Sequence, residues 1–66
     1  IDVVLESTSF VYLIELKRDQ SADIALQQIM NMGYDKPFLA RGKKIFKIGV
    51  NFSTSTRRIE DWKVTE

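Results

Sequence analysis

The sequence predicts an α+β domain, of the α/β kind, in which one helix packs on a mixed sheet in the order β-β-α-β-β. Residues 1–6 and 44–52 alternate apolar with other side chains, and residues 10–14 form an unbroken apolar run; both patterns are typical of strands. Between them, residues 21–33 place apolar side chains at helical spacing. The 66 residues suffice for one small domain with a limited core.

The first two strands are predicted to form an antiparallel hairpin around the hydroxyl-rich turn at residues 7–9. If Glu6 pairs with Val11, the two strands share one almost wholly apolar face. A register shifted by one residue would mix apolar and charged side chains and bury charge, so the first register is favoured. The apolar face then contains Ile1, Val3, Leu5, Tyr12, Ile14 and Leu16.

A single helix is predicted to follow the hairpin. Ser21 suits the N-cap, and Asp23 lies in the first turn, where the helix dipole favours an acidic side chain. Gly33 suits the left-handed position after the last turn. The apolar stripe of this helix consists of Ala22, Ala25, Leu26, Ile29 and Met32.

The second half of the chain predicts a connector and two further strands. Pro37 can start a short turn of helix, and Phe38 and Leu39 are expected to anchor the connector in the core. Residues 57–66 predict a weaker last strand, with a bulge at residues 60–61 where the apolar alternation changes phase. The core face of the third strand is expected to contain Phe46, Ile48, Val50 and Phe52.

The composition limits the available chemistry. The chain has neither Cys nor His, which excludes disulfides, imidazole bases and the usual zinc sites and leaves oxygen ligands for any metal. Ten basic and nine acidic residues give a net charge of +1, so bulk charge does not indicate a nucleic-acid or membrane partner. No apolar run is long enough to span a membrane, and no signal peptide is visible, so a soluble, cytoplasmic protein without a membrane partner is expected.

Three charged side chains are predicted to meet at one end of the second strand. Glu15 and Lys17 are two residues apart and therefore lie on the same face of a strand. The hairpin register sets Asp2 opposite Glu15, and directly opposed like charges destabilise a sheet, so a divalent cation or Lys17 should offset the repulsion. Gln28, at the edge of the helix stripe, is expected to reach the same end of the sheet.

Five blocks of sequence point to a known family. They are DVVLE at residues 2–6, YLIELK at 12–17, SA at 21–22 with ALQQI at 25–29, GY at 33–34 and KIGVNFS at 47–53. Together they resemble the PD-(D/E)xK nuclease superfamily, in the branch of nuclease-like domains attached to AAA-ATPase-like regions in bacterial proteins. Residues 1–66 would then be one truncated, restriction-endonuclease-like core, the C-terminal part of a longer protein.

The resemblance implies a metal-dependent nuclease site. Asp2 and Glu15, with the backbone carbonyl of Leu16, would bind Mg²⁺ or Mn²⁺, and Lys17 would position or activate the attacking water. Gln28 corresponds to the helix glutamine that borders the site in several branches. Ile1 stands where the family name has Pro, a substitution that the superfamily tolerates.

Two functions follow as alternatives. The first is hydrolysis of phosphodiester bonds in nucleic acid, with DNA as the expected substrate, and the second is a non-catalytic module for assembly or nucleic-acid binding beside an ATPase-like region. A homodimer through an exposed strand edge is also expected. The basic residues Arg41, Lys43, Lys44 and Lys47 are either a phosphate-binding patch or ordinary surface charges that protect a strand edge.

Overall fold

The computed structural model describes all 66 residues and confirms the predicted order of elements. A short 3₁₀ helix precedes the third strand, at the place where Pro37 predicted a turn of helix. None of the helices has the length and apolar character that crossing a membrane requires. The elements are β1 (Val3–Glu6), β2 (Phe10–Arg18), α1 (Ala22–Met32), the 3₁₀ helix (Lys36–Arg41), β3 (Lys44–Ser53) and β4 (Arg58–Thr65).

The four strands form one mixed sheet in the order β1-β2-β3-β4. The central strands β2 and β3 are parallel, while β1 and β4 pair antiparallel with them at the two edges. Glu6 pairs with Val11, so the predicted hairpin register is confirmed. On β4, Asp61 and Ile59 pair with successive residues of β3, which leaves Glu60 as the extra residue of the predicted bulge.

The ends of α1 follow the predicted capping pattern. The Ser21 hydroxyl accepts a hydrogen bond from the backbone N–H of Ile24 at 3.1 Å, and Ser21 itself has an extended backbone. Gly33 ends the helix in the left-handed conformation, with φ of 65°. These local signals fix where the helix that connects β2 to β3 begins and ends.

Helix α1 packs on one face of the sheet, against the side chains of Val11 and Leu13. The helix approaches β3 closely at Gly49: a Cβ atom there would lie 2.4 Å from the carbonyl oxygen of Ala22 and 2.6 Å from the backbone nitrogen of Leu26. Only a glycine permits this approach. The apolar core beneath the helix is small and consists of Val11, Leu13, Ala22, Ala25 and Ile29, whereas Val50 is buried on the other side of the sheet.

The prediction that the more apolar face of the sheet forms the core is wrong. The helix covers the opposite face, which includes Glu15, Gly49 and Asn51. Leu39 and Met32, which were also expected to be buried, are exposed.

We call the uncovered side of the sheet the open face. It consists of Val3, Leu5, Phe10, Tyr12, Ile14, Leu16, Phe46, Ile48, Val50, Phe52, Ile59, Trp62 and Val64.

Candidate active site

The Glu15 carboxylate is the most unusual polar group of the chain. Glu15 is only 5% exposed and lies on the helix side of β2. Its Oε2 accepts a hydrogen bond from Gln28, whereas Oε1 is buried and has no hydrogen-bond partner. The nearest cation is the α-amino nitrogen of Ile1, 3.6 Å from Oε1. A buried carboxylate oxygen without a hydrogen bond is costly, so it indicates a place for a cationic ligand.

Gln28 reaches the end of the sheet, as its position on the helix predicted. Its side-chain Nε2 donates to Glu15 Oε2 at 3.2 Å, and the residue is partly buried. The bond occupies Oε2 and leaves Oε1 without a hydrogen bond. Gln28 thus orients the Glu15 side chain, and α1 and β2 together build this part of the site.

Asp2 lies beside Glu15 along the sheet but is held by a different contact. Its Oδ2 accepts a hydrogen bond from the backbone N–H of Leu16 at 2.7 Å, and its own N–H donates to the carbonyl of Ile14 at 3.2 Å. The regular pairing of β1 with β2 extends only to Val3. The structure therefore joins Asp2 to Leu16, and it shows no hydrogen bond between Asp2 and Glu15.

Lys17 makes neither an ion pair nor a hydrogen bond through its side chain, although it is partly buried. It lines a shallow cavity of about 490 Å³ at the carboxyl ends of the central strands, and the other lining residues are Leu16, Arg18, Asp19, Gln20 and Thr54. In open α/β sheets this end of parallel strands is the usual place for ligands. An unpaired ammonium group at this position is available to an anionic substrate.

One residue near the site was not among the predicted site residues. Asn51 lies opposite Lys17 on β3, is only 7% exposed, and accepts a hydrogen bond from the backbone N–H of Gln20 at 3.0 Å. A polar side chain inside an apolar strand was the available signal for Asn51.

The basic cluster at the other end of the sheet is already neutralised. Arg41 and Lys43 both pair with Glu6, and they hold the pKa of that carboxyl below its usual value of 4.5. Lys44 pairs with Glu66, and Lys47 pairs with Asp35. These ion pairs favour the ordinary structural interpretation of the cluster over a phosphate-binding patch.

The basic residues without an ion pair have a different distribution. Four of the five lie where β2 and β3 end and β4 begins, which is the same end of the sheet as the cavity beside Lys17. They are Lys17, Arg18, Arg57 and Arg58, and the fifth is Lys36. The unpaired basic residues therefore lie at the end of the sheet with the candidate site rather than in the predicted basic cluster, and Asp19, Glu60 and Asp61 lie at the same end, also without an ion pair.

Comparison with known proteins agrees with this geometry. A family model described as the PD-(D/E)XK nuclease superfamily matches residues 1–62. The chain belongs to this superfamily. The match includes every predicted site residue of this nuclease-superfamily domain, from Asp2 to Gln28. No curated protein and no solved structure matches the chain significantly.

The residues present fit a divalent metal ion. No group of three or more His, Cys, Asp or Glu side chains is close enough to hold a metal. However, Mg²⁺ at phosphate-processing sites is commonly held by one or two carboxylates together with water and substrate oxygens. Oε1 of Glu15 and Oδ1 of Asp2 accept no hydrogen bond, so each carboxylate has one oxygen that a metal ion could use.

Proposed function

We propose that the domain hydrolyses phosphodiester bonds of nucleic acid, with DNA as the substrate, in a reaction that depends on a divalent metal ion. The observation that supports this most is the Glu15 carboxylate, which is buried, oriented by Gln28, and left with one oxygen unsatisfied. Lys17 follows two residues later on the same face, with no partner for its charge. Membership of a nuclease superfamily is consistent with this chemistry.

Asp2, Glu15 and the backbone carbonyl of Leu16 would hold Mg²⁺, or Mn²⁺ in its place. Such an ion lowers the pKa of a bound water and neutralises charge on phosphate oxygens. The contribution of the protein is to fix its own ligands before substrate binds: Gln28 holds Glu15, and the N–H of Leu16 holds Asp2. Each hydrogen bond reduces the rotation of a carboxylate and thereby prearranges the ligand oxygens.

Lys17 would act on the attacking water and on the phosphate. Its ammonium group is a compact positive charge that can hold a hydroxide in position or stabilise the negative charge that develops on the phosphoryl oxygens. Glu15 and Lys17 both lie in the part of β2 that pairs with β3, opposite Gly49 and Asn51, and this pairing fixes the Lys17 backbone relative to Glu15. The side chain retains its freedom to follow the substrate because no carboxylate holds it.

The distribution of unpaired charge supports a nucleic-acid substrate. Arg18, Arg57 and Arg58 lie at the same end of the sheet as Lys17, and none of them forms an ion pair. Unpaired Arg and Lys side chains bind a phosphate backbone by displacing its counterions. The proposal also includes attachment to an AAA-ATPase-like region and a cytoplasmic location in bacteria, for which the support is the resemblance alone.

The proposal is tested by the cleavage of labelled DNA in the presence of Mg²⁺ or Mn²⁺. Glu15→Gln and Lys17→Met should each reduce the rate by about 100-fold or more, the usual effect of removing one group that stabilises a transition state. Glu66→Gln and Lys44→Met are matched controls, because they remove charges from an exposed ion pair at the opposite end of β3 from Glu15 and Lys17. Equal cleavage by all four variants and the parent would contradict the assignment.

A non-catalytic module is the second candidate, and the contact between Asp2 and Leu16 favours it, because that contact occupies one of the expected ligand oxygens. Calorimetric titration with Mg²⁺ or Mn²⁺ separates the two functions, since a binding module has no use for the metal. Heat of binding that disappears in Glu15→Gln supports the nuclease. A flat titration, together with DNA binding that persists, supports the module.

A further inference from the structure

A second cavity adjoins the one beside Lys17, on the side of β4. It has a volume of about 350 Å³, and Asp19 and Gln20 line both cavities. It is built from side chains of the helix side of the sheet and from the connection between β2 and α1, so the open face takes no part in it. No apolar side chain lines this cavity, which is formed by Asp19, Gln20, Asn51, Ser53, Glu60 and Asp61.

The side-chain amide of Asn51 supplies an unused donor to this cavity. Asn51 is 7% exposed, and its Oδ1 accepts a hydrogen bond from the backbone N–H of Gln20 at 3.0 Å. Because a backbone N–H can only donate, this bond identifies the oxygen end of the amide and directs Nδ2 away from Gln20. Nδ2 donates to no atom of the chain. A donor on a buried side chain normally has an acceptor, so Asn51 indicates a ligand that offers one.

The bulge of β4 turns two consecutive carboxylates towards the same cavity. Neighbouring side chains of a regular strand point to opposite faces, but Glu60 is the extra residue of the bulge, and both Glu60 and Asp61 line the cavity. Neither forms an ion pair. Oδ2 of Asp61 accepts a hydrogen bond from the N–H of Ala22 at 3.3 Å, whereas Oδ1 makes none. The cavity therefore also offers an acceptor for a hydrogen-bond donor.

The unused donor and the unused acceptor are neighbours. Asn51 and Asp61 pair directly across β3 and β4, and the Cβ atoms of such pairs lie about 4.5–5.5 Å apart. Nδ2 of Asn51 and Oδ1 of Asp61 thus form one donor and one acceptor, each held in orientation by a hydrogen bond from the backbone to the other oxygen of its side chain. A ligand that matches them needs an acceptor next to a donor.

We propose that this cavity binds an unpaired nucleobase that carries an exocyclic amino group, an inference that rests on the proposed function. Cytosine and adenine each offer an amino donor next to a ring-nitrogen acceptor on their pairing edge. Oδ1 of Asp61 accepts from the amino group, and Nδ2 of Asn51 donates to the ring nitrogen. Carboxylates recognise the amino group of cytosine, and side-chain amides recognise adenine, in other protein–DNA contacts.

The neighbouring cavity suits the phosphate of the same nucleotide. Asn51 lies opposite Lys17 in the parallel pair of β2 and β3, and neighbouring strands are about 4.8 Å apart. Lys17 and Arg18 supply positive charge to that cavity. Asp19 lines both cavities, but Thr54 donates to each of its carboxylate oxygens. The cations thus attract the sugar–phosphate chain to one cavity, and the carboxylates keep it out of the other.

Two oligonucleotides that differ in one pattern of hydrogen bonds test the inference. Deoxycytidine has an amino group and a ring-nitrogen acceptor where deoxyuridine has a carbonyl oxygen and a ring N–H. In EDTA, which prevents metal-dependent cleavage and keeps divalent ions out of the cavity, the 66-residue chain should prefer single-stranded oligodeoxycytidine. The expected preference over oligodeoxyuridine is about five- to tenfold in affinity, measured by fluorescence anisotropy.

Isosteric exchanges assign the preference to Asn51 and Asp61. Asn51→Asp keeps the acceptor for Gln20 but turns the donor into an acceptor, and Asp61→Asn keeps the acceptor for Ala22 but turns the other oxygen into a donor. Each should abolish the preference. The double variant Asn51→Asp/Asp61→Asn exchanges donor and acceptor and should prefer oligodeoxyuridine. Each ratio compares two ligands of one protein, so a general change in phosphate attraction cancels.

Asn31→Asp is the matched control. Oδ1 of Asn31 also accepts a hydrogen bond, from Gln27 at 2.9 Å, but Asn31 is exposed on α1 and does not line the cavity. If an Asn51 variant does not fold, NMR of the parent decides: oligodeoxycytidine should shift the side-chain amide signals of Asn51 and leave those of Asn31 unchanged.

Equal affinity of the parent for the two oligonucleotides would overturn the base site, as would a preference that Asn51→Asp and Asp61→Asn both retain. Absence of binding to either oligonucleotide would overturn it as well. The proposed nuclease activity is judged separately by the cleavage test with Glu15→Gln, because an enzyme without a base preference still cleaves DNA.

Discussion

Substitution of Gly49 by Ala should push helix α1 away from the sheet and weaken the candidate site. The added Cβ would lie 2.4 Å from the Ala22 carbonyl oxygen and 2.6 Å from the Leu26 nitrogen, and both of these are backbone atoms. Neither atom can move by a change of rotamer. The helix as a whole must therefore shift until these contacts reach the ordinary range.

The size of the effect follows from the distances. Non-bonded atoms rest about 3.5 Å apart, so the helix must move by roughly 1 Å. Overpacking of this kind costs about 1–3 kcal/mol of unfolding free energy, and we expect the upper end because the obstacle is backbone. The hydrogen bond from Gln28 to Glu15 is already 3.2 Å long, and lengthening by about 1 Å exceeds the range of a hydrogen bond.

Urea unfolding and the NMR signal of the Gln28 side-chain amide measure the two consequences. Gly42→Ala is the control: it adds the same methyl group where no atom lies within 4 Å, although the φ of 69° makes Ala strained there. That strain costs about 1–2 kcal/mol without moving α1. If Gly49→Ala unfolds at the same urea concentration as the parent and leaves the Gln28 signal unchanged, the reasoning about close packing is wrong.

Further predictions concern the helix cap and the pH dependence of stability. Ser21→Ala should cost about 1 kcal/mol in urea unfolding, because the N–H of Ile24 loses its acceptor; an unchanged midpoint would show that water replaces the cap. Hydrogen bonds from the Thr54 hydroxyl and backbone N–H lower the pKa of Asp19 from 3.8. The stability that these hydrogen bonds to the Asp19 carboxylate contribute is complete above pH 3.8, and it is lost as the pH falls through the pKa of Asp19 in the folded state. Thr54→Val should therefore raise the Asp19 pKa in an NMR titration and destabilise the fold mainly above pH 3.8; an unshifted titration would refute the assigned cause.

The parts of the fold that depend on local chemistry were predictable. The pairing of Glu6 with Val11 follows from the apolar sets of two adjacent strands, and the structure confirms it. Ser21 and Gly33 marked the ends of the helix because their backbone and side-chain preferences act over only a few residues. The bulge at Glu60 was visible because one extra residue reverses the alternation of apolar side chains.

The choice of the covered face was not predictable from the pattern of apolar residues. In a β-α-β unit, the hand of the connection decides which side of the sheet the helix occupies. The helix therefore lies on the side of Glu15 and Asn51, although the opposite side is more apolar. Gly49 contained a usable signal, since a glycine inside a strand often marks the close approach of another backbone.

The candidate site was predictable only in part. The spacing of Glu15 and Lys17 fixed their common face, and the position of Gln28 on the helix indicated its reach towards the sheet. The contact between Asp2 and the N–H of Leu16 depends on where regular pairing stops, which the sequence does not indicate. The functional roles of these residues remain predictions for the cleavage and titration experiments.

The period of two along β2 divides one strand between two surfaces. Glu15 and Lys17 face the candidate site, while Ile14 and Leu16 face the opposite side, and each pair is separated from the other only by the thickness of the backbone. A saturation scan of this strand should therefore give two interleaved profiles of tolerance. Charge and hydrogen-bonding capacity would limit the odd positions, whereas size and hydrophobicity would limit the even ones. A single-residue insertion would exchange the two profiles and disable both surfaces at once.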